Sequence, residues 1–340
     1  MKEFISTRLD ALTELANALK PQYKHGLSIS TRPRRELHAV QKGSVTFNGG
    51  EFFEHQFAPD DFAEVFTEDW FTKEDLLGLQ TVIDIDTFIF AYPKGKVVIE
   101  QQNTSLGLFL IVEADTNITL QTSGVGTTRV HVLVKKGNAT FTHVQNGQQI
   151  VHKNAHIKKG SMKWTDLIVT DQYIRSYVAN TMIGVEAIGE IKSFSLTKGL
   201  GICDMYTENH HEAEHTKSDI VTRSVMSDNS KTLSRGLVSI GQKAAHSEGY
   251  EQQDALILSN DAEADAIPNL EIHNHDVKCS HGSTVGRVDE EKLFYLMARG
   301  VSETKAKNLI VRGYFLPAIH GIADEKVRTS VLEQLDVALE

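Results

Sequence analysis

The chain has 340 residues, 40% of them hydrophobic and 24% charged, with 35 Lys and Arg against 45 Asp and Glu and a net charge of −10. That length can bury a large core in one or two domains, and the composition is that of a globular chain. The acidic balance argues against a nucleic-acid partner, because phosphate binding needs a basic surface and the basic groups at Arg32-Pro33-Arg34-Arg35 and Lys158-Lys159 are short and isolated.

No stretch approaches the roughly 20 apolar residues of a membrane span, and Met1-Lys2-Glu3-Phe4-Ile5 lacks the pattern of a signal peptide. Cys203 and Cys279 are the only cysteines, which excludes a disulfide framework. A cytoplasmic protein without membrane contact is expected.

In chain order, Ile5, Leu9, Leu12, Leu15, Ala16 and Leu19 keep a helical period that Pro21 ends. A mixed region follows to about residue 80, with a short helix expected over Thr72–Leu77. From about Thr81 the pattern changes to short β-branched runs, such as Lys96-Val97-Val98-Ile99-Glu100, Leu108-Phe109-Leu110-Ile111-Val112 and Arg129-Val130-His131-Val132-Leu133-Val134. Asp115, Gly124, Gly137, Asn146-Gly147 and Gly160 punctuate them. Further strands are expected through Ala255–Leu258. Many strands at spacings of about 8–12 residues, without helices between them, fit a sandwich, a barrel or a β-solenoid, and no exact repeat chooses among these. Polar residues along the runs imply that one strand face sees water.

After Gly286 the pattern is helical again. Asp289 is placed to cap a helix that Gly300 stops, Ser302 a second that ends before Pro317, and a third runs from Asp324 to about Leu339. The chain thus divides into residues 1–80, a β-rich body over 81–286, and a helical region over 287–340. That last region either covers the sheet or offers a docking surface.

Two segments carry candidate chemistry. His211-Glu212-Ala213-Glu214-His215 has the spacing of a zinc metalloprotease helix, but its polar flanks lead directly into Ile220-Val221-Thr222, so a loop or strand edge is expected instead. In Glu271–Gly282, a single extended strand would place His273, His275, Cys279 and His281 on one face. Imidazole and thiolate suit zinc or iron. No phosphate-binding Gly-rich loop with Lys-Ser/Thr and no Gly-x-Ser-x-Gly elbow occurs in the sequence.

The stretch from His215 to about Phe315 resembles the SufB/SufD family of iron–sulfur cluster assembly scaffolds. The resemblance is carried by His215-Thr216-Lys217-Ser218-Asp219, by Ala255-Leu256-Ile257-Leu258-Ser259-Asn260-Asp261-Ala262-Glu263-Ala264-Asp265-Ala266-Ile267-Pro268, by Asp276-Val277-Lys278-Cys279-Ser280-His281-Gly282-Ser283-Thr284-Val285-Gly286 and by Leu293-Phe294-Tyr295-Leu296-Met297-Ala298-Arg299-Gly300. Lys278-Cys279-Ser280-His281-Gly282 is the SufD wording, and Gln253 stands where SufB-like chains carry their assembly cysteine.

The resemblance implies a mainly β fold, a right-handed parallel β-helix flanked by N- and C-terminal helical regions. It implies a non-catalytic scaffold that binds no nucleotide and builds a transient iron–sulfur cluster at a subunit interface. The implied partners are a SufB-like subunit, or a second copy of the chain as a homodimer, and a SufC-like ABC ATPase. His281 and Cys279 are the implied cluster ligands, with His273 and His275 as weaker candidates. The ATPase would dock on the helical region, with Leu293, Phe294, Arg299 and Arg312 as candidate contacts. The alternative is a stand-alone metal-dependent enzyme of β-solenoid or cupin-like build that uses His273, His275 and His281.

Overall fold

The computed structural model describes residues 44–48, 51–54, 87–320, 322 and 325–339. The helices expected over 3–19 and 72–77, and the boundary near residue 80, lie outside these residues. Among the described residues, seventeen strands precede three helices. The strands are β1 (Ser44–Asn48), β2 (Glu51–Glu54), β3 (Thr87–Gln102), β4 (Leu106–Val112), β5 (Thr116–Ser123), β6 (Val125–Val134), β7 (Asn138–Asn146), β8 (Gln148–Ile157) and β9 (Ser161–Thr170). They continue as β10 (Tyr173–Met182), β11 (Ile188–Thr197), β12 (Ile202–His211), β13 (Lys217–Met226), β14 (Lys231–Ile240), β15 (Glu248–Ile257), β16 (Glu263–Ile272) and β17 (Lys278–Arg287). The helices are α1 (Glu290–Ala298), α2 (Glu303–His320) and α3 (Glu325–Leu339).

From β4 onward each strand pairs in parallel with the strand two further along, as β11 does with both β9 and β13. Consecutive strands therefore alternate between two sheets. The odd strands and the second half of β3 form sheet A, and the even strands with the first half of β3 form sheet B. This is a parallel β-helix, the solenoid among the three sequence-compatible architectures. β1 and β2 pair antiparallel with β3 at the N-terminal end.

The missing repeat has a plain cause. Stacked turn positions are 23 residues apart at Asn138 and Ser161 but 31 apart at Thr216 and Ser247, so the coil lengthens along the chain while the strand register is kept. Where a turn stacks tightly, only glycine fits. A Cβ on Gly160, at φ +104°, would lie 1.9 Å from the Gly137 carbonyl oxygen of the coil before it.

Strand alternation sends every second side chain into the space between the sheets. One inward column of sheet A reads Val97, Ile118, Phe141, Trp164, Ile191 and Ile220. All six are buried, and each contributes roughly 1.5–3 kcal/mol by leaving water. The interior is not uniformly apolar. Trp164 Nε1 donates to Asn180 Oδ1 at 2.9 Å, Asn180 Nδ2 donates to Asn209 Oδ1 at 3.0 Å, and Lys153 reaches from sheet B to Asp166 in sheet A. The polar residues expected to face water are thus partly internal, paired with one another across the coils.

Helices α2 and α3 lie against the outer face of sheet A. Val311, Phe315, Ile319, Val327, Val331 and Leu335 pack on Val144, Leu167, Phe194, Leu196 and Val225. Asp289 caps α1 by accepting from the Glu291 and Lys292 amides, as the sequence predicts. The second helix does not stop before Pro317 but continues to His320. The four-residue spacing Val311, Phe315, Ile319 keeps one buried stripe through the proline. Its burial outweighs the lost amide hydrogen bond and ring crowding, about 3 kcal/mol. Among the described residues no helix is long and apolar enough to cross a membrane.

Candidate functional site

The C-terminal end of the coil stack differs from its middle. Residues of β16 and β17 are half-buried or exposed where the same positions of earlier coils are closed. Among the described residues β17 hydrogen-bonds as a strand only to β15, so its other edge is open. Leu270, Ile272, Val277 and Cys279 close the interior only partly.

The segment Glu271–Gly282 is not one strand. β16 ends at Ile272, residues 273–277 form a corner, and β17 starts at Lys278. His273 and His275 therefore sit exposed on the corner, off the strand face that carries Cys279 and His281. Asn274 holds that corner, donating from Nδ2 to the Gln242 carbonyl at 2.9 Å and accepting from the Asp276 amide at 2.9 Å. The face that a single strand would give all four residues is halved by this turn.

Cys279 and His281 alternate onto the inward face of β17, in register with Gly249 and Glu251 of β15. Cys279 rests on the core, and this burial raises its thiol pKa despite a backbone hydrogen bond from Gly249. His281 is exposed. The residue that sequence reasoning missed is Glu251. It is 3% exposed, at the end of a column that is apolar through Ile220. Gln253 Nε2 donates to its Oε1 at 2.6 Å, while Oε2 has no hydrogen-bond partner among the described residues. Burial lifts its carboxyl pKa to about 7 against the hydrogen bonds from Gln253 and the Asn269 backbone. A glutamate at an inward step of Glu248–Ile257 was the available signal.

His211-Glu212-Ala213-Glu214-His215 is the end of β12 and the following turn, as its flanks predict, and is not helical. His211 is buried, bonded through Nδ1 to Thr216 Oγ1 at 2.7 Å and through Nε2 to Ser218 Oγ at 2.8 Å. Burial, then the nearby His210, lowers its pKa to about 4, so it is a neutral structural imidazole. His215 is exposed and stacks on His246 with ring centres 4.8 Å apart. Cys203 lies in the interior, its thiol pushed up to about 12 by burial and then by Asp204. Among the described residues, no three His, Cys, Asp or Glu side chains converge as a metal site. Cys279 and His281 place a thiol and an imidazole, both metal-ligating group types, on one strand at the open end.

The candidate docking residues divide in a similar way. Helix α1 buries none of its residues and leaves Phe294 72% exposed. Arg299 lies over the Tyr295 ring, 4.6 Å from its centre. Leu293 is half-buried. Arg312 is already engaged, donating from Nη2 to Asp336 Oδ1 between α2 and α3.

A two-sheet coil stack with a thiol and an imidazole at its open end and helices along one side defines a parallel β-helix protein. The family model for the SUF system FeS cluster assembly SufBD core domain matches residues 96–314, and the chain belongs to the SufB/SufD family. It is similar to an iron–sulfur cluster assembly SufBD family protein of Staphylococcus saprophyticus, 31% identical over 212 residues, which is 61% of this chain and 46% of the relative. A SufBD family protein of Staphylococcus epidermidis matches with the same identity and coverage. The match thus spans about half the length of these curated relatives. The description of that family model refers to iron–sulfur cluster assembly in the SUF system.

Proposed function

We propose that the chain is a SufD-type, non-catalytic scaffold subunit that builds a transient iron–sulfur cluster where the open end of its β-helix meets a second subunit. The observation that carries this reading is the placement of Cys279 and His281 together on β17, whose outer edge has no strand partner among the described residues. A neutral imidazole and a thiolate ligate iron, and the remaining donors come from the partner. That partner is a SufB-like subunit or a second copy of the chain. The wording Lys278-Cys279-Ser280-His281-Gly282 and the glutamine at 253 favour the SufD type.

A SufC-like ABC ATPase docks on the helical region, and this chain binds no nucleotide itself. The exposed Phe294, Tyr295 and Met297 of α1 support that surface. The complex works in the cytoplasm.

The test is anaerobic cluster assembly in the complete complex. His281→Ala keeps the fold and the subunit pairing but lowers cluster yield, and Cys279→Ala has the smaller effect. Phe294→Asp and Arg299→Glu weaken ATPase binding. Full cluster yield in the His281→Ala complex would remove His281 from the mechanism. Unchanged ATPase binding in both helix variants would move the docking surface elsewhere.

A further inference from the structure

We propose that Glu251 is the positioning residue of the His281 imidazole, presenting a carboxylate oxygen to the ring nitrogen that does not hold iron. The proposal rests on the reading of His281 as a ligand, and it adds a residue to that site.

Four observations point to this role. First, Glu251 and His281 are in-register neighbours on parallel strands and share the inward face. Neighbouring strands run about 4.8 Å apart, within reach of a side-chain hydrogen bond. Second, the column they occupy is apolar through Ile220 and becomes ionisable only at its last two positions. A buried carboxyl costs stability that an isoleucine would not, so packing alone does not account for it. Third, sheet B clears space for it. A Cβ on Gly236 would lie 1.6 Å from Glu251 Oε1. Fourth, the carboxylate is half used. Gln253 fixes Oε1 at 2.6 Å, which sets the orientation of the group, the Asn269 backbone also bonds to the carboxyl, and among the described residues no side chain pairs with the buried Oε2.

The surroundings leave His281 as the fitting partner for Oε2. On inward faces, β13 brings Ser218, Ile220 and Thr222, β14 brings Ser234, Gly236 and Val238, and β16 brings Pro268 and Leu270. The other ionisable groups on this side are Cys279, and His211 on β12, whose ring nitrogens both bond to hydroxyls. A metal-bound histidine ordinarily gives its second N–H to a carboxylate or carbonyl, which fixes the ring and its tautomer.

The experiment uses ferrous iron as the probe on the assembled complex, without oxygen. Glu251→Gln preserves the volume and the hydrogen bond from Gln253 but removes the charge. It is expected to weaken iron binding about 10- to 100-fold, the usual cost of losing a ligand's outer partner, while Glu251→Asp recovers part of the affinity. Infrared difference spectra on adding iron to the unaltered complex should show a carboxyl band that disappears in both Glu251→Gln and His281→Ala. Iron affinity unchanged in a folded Glu251→Gln complex, or no such band in the unaltered complex, overturns the proposal. If His281→Ala loses iron binding in that case, the ligand reading survives and only the Glu251 role falls. If His281→Ala binds iron normally, both fall.

Discussion

Lys153 of β8 and Asp166 of β9 face each other across the interior of the coil stack as an ion pair, with side-chain exposures of 0% and 1%. Ser176 Oγ donates to the second carboxylate oxygen at 3.4 Å, and the ammonium lies over the Trp164 ring, 5.3 Å from its centre. Burial disfavours both charges, lowering the lysine pKa and raising the aspartate pKa, and their attraction opposes it. Removing one partner strands the other in an apolar space. Asp166→Ala or Lys153→Ala is expected to cost about 3–5 kcal/mol in urea unfolding, whereas Lys153→Met with Asp166→Leu is expected to be near neutral. A double-variant loss equal to the sum of the two single losses would show that the pair is not a coupled unit.

His210 provides a pH-dependent contribution on the outer face of sheet B. Its Nε2 lies 2.9 Å from Glu208 Oε2, which also accepts from the Tyr177 hydroxyl at 2.6 Å. Burial pulls the His210 pKa down, but the hydrogen bond and charge of Glu208, with Glu212 and Glu271, outweigh it and raise the pKa. A histidine whose folded pKa exceeds its unfolded value, near 6.5, stabilises fully below that value and stops doing so as pH rises through the folded pKa. His210→Gln should therefore lower the unfolding midpoint at pH 6 and leave it nearly unchanged at pH 9. An equal loss at both pH values would assign the effect to packing.

Phe315 ties the helical layer to the sheet, its ring centre 6.2 Å from that of Phe194. At 2% exposure, Phe315→Ala should cost about 3–5 kcal/mol of the docking of α2 and α3. Hydrogen exchange would then quicken across 303–320 and 325–339 while amides of β5–β13 stay protected. Loss of protection in the strands as well would show that the coil stack depends on the helices.

The two thiols should react at very different rates. Cys203 is fully buried and its pKa is pushed up to about 12, and Cys279 is half-buried with a raised pKa. Iodoacetamide on the native chain at pH 8 should label Cys279 slowly and Cys203 only after unfolding, as read by peptide mass spectrometry. Native labelling of Cys203 would contradict its place inside the stack.

Local sequence determined what local physics controls. The β-branched runs with their Asp, Asn and Gly breaks mark strands because extended backbone and left-handed turns select those residues, and Asp289 marks the start of α1 because its side chain satisfies free amides there. The ordered wording from Asp276 to Gly286 pointed to the family. Coil stacking was not legible, since a solenoid needs register between strands and not a constant period, and the spacing drifts from 23 to 31 residues. Pro317 read as a stop because the burial that carries α2 through it comes from sheet A. Only the tertiary structure separated His273 and His275 from Cys279 and His281, by folding residues 273–277 into a corner. It alone set Lys153 against Asp166 from opposite sheets and put Glu251 beneath His281. Each of these relations joins different strands or coils, so its energy depends on distances that exist only after the coils have stacked.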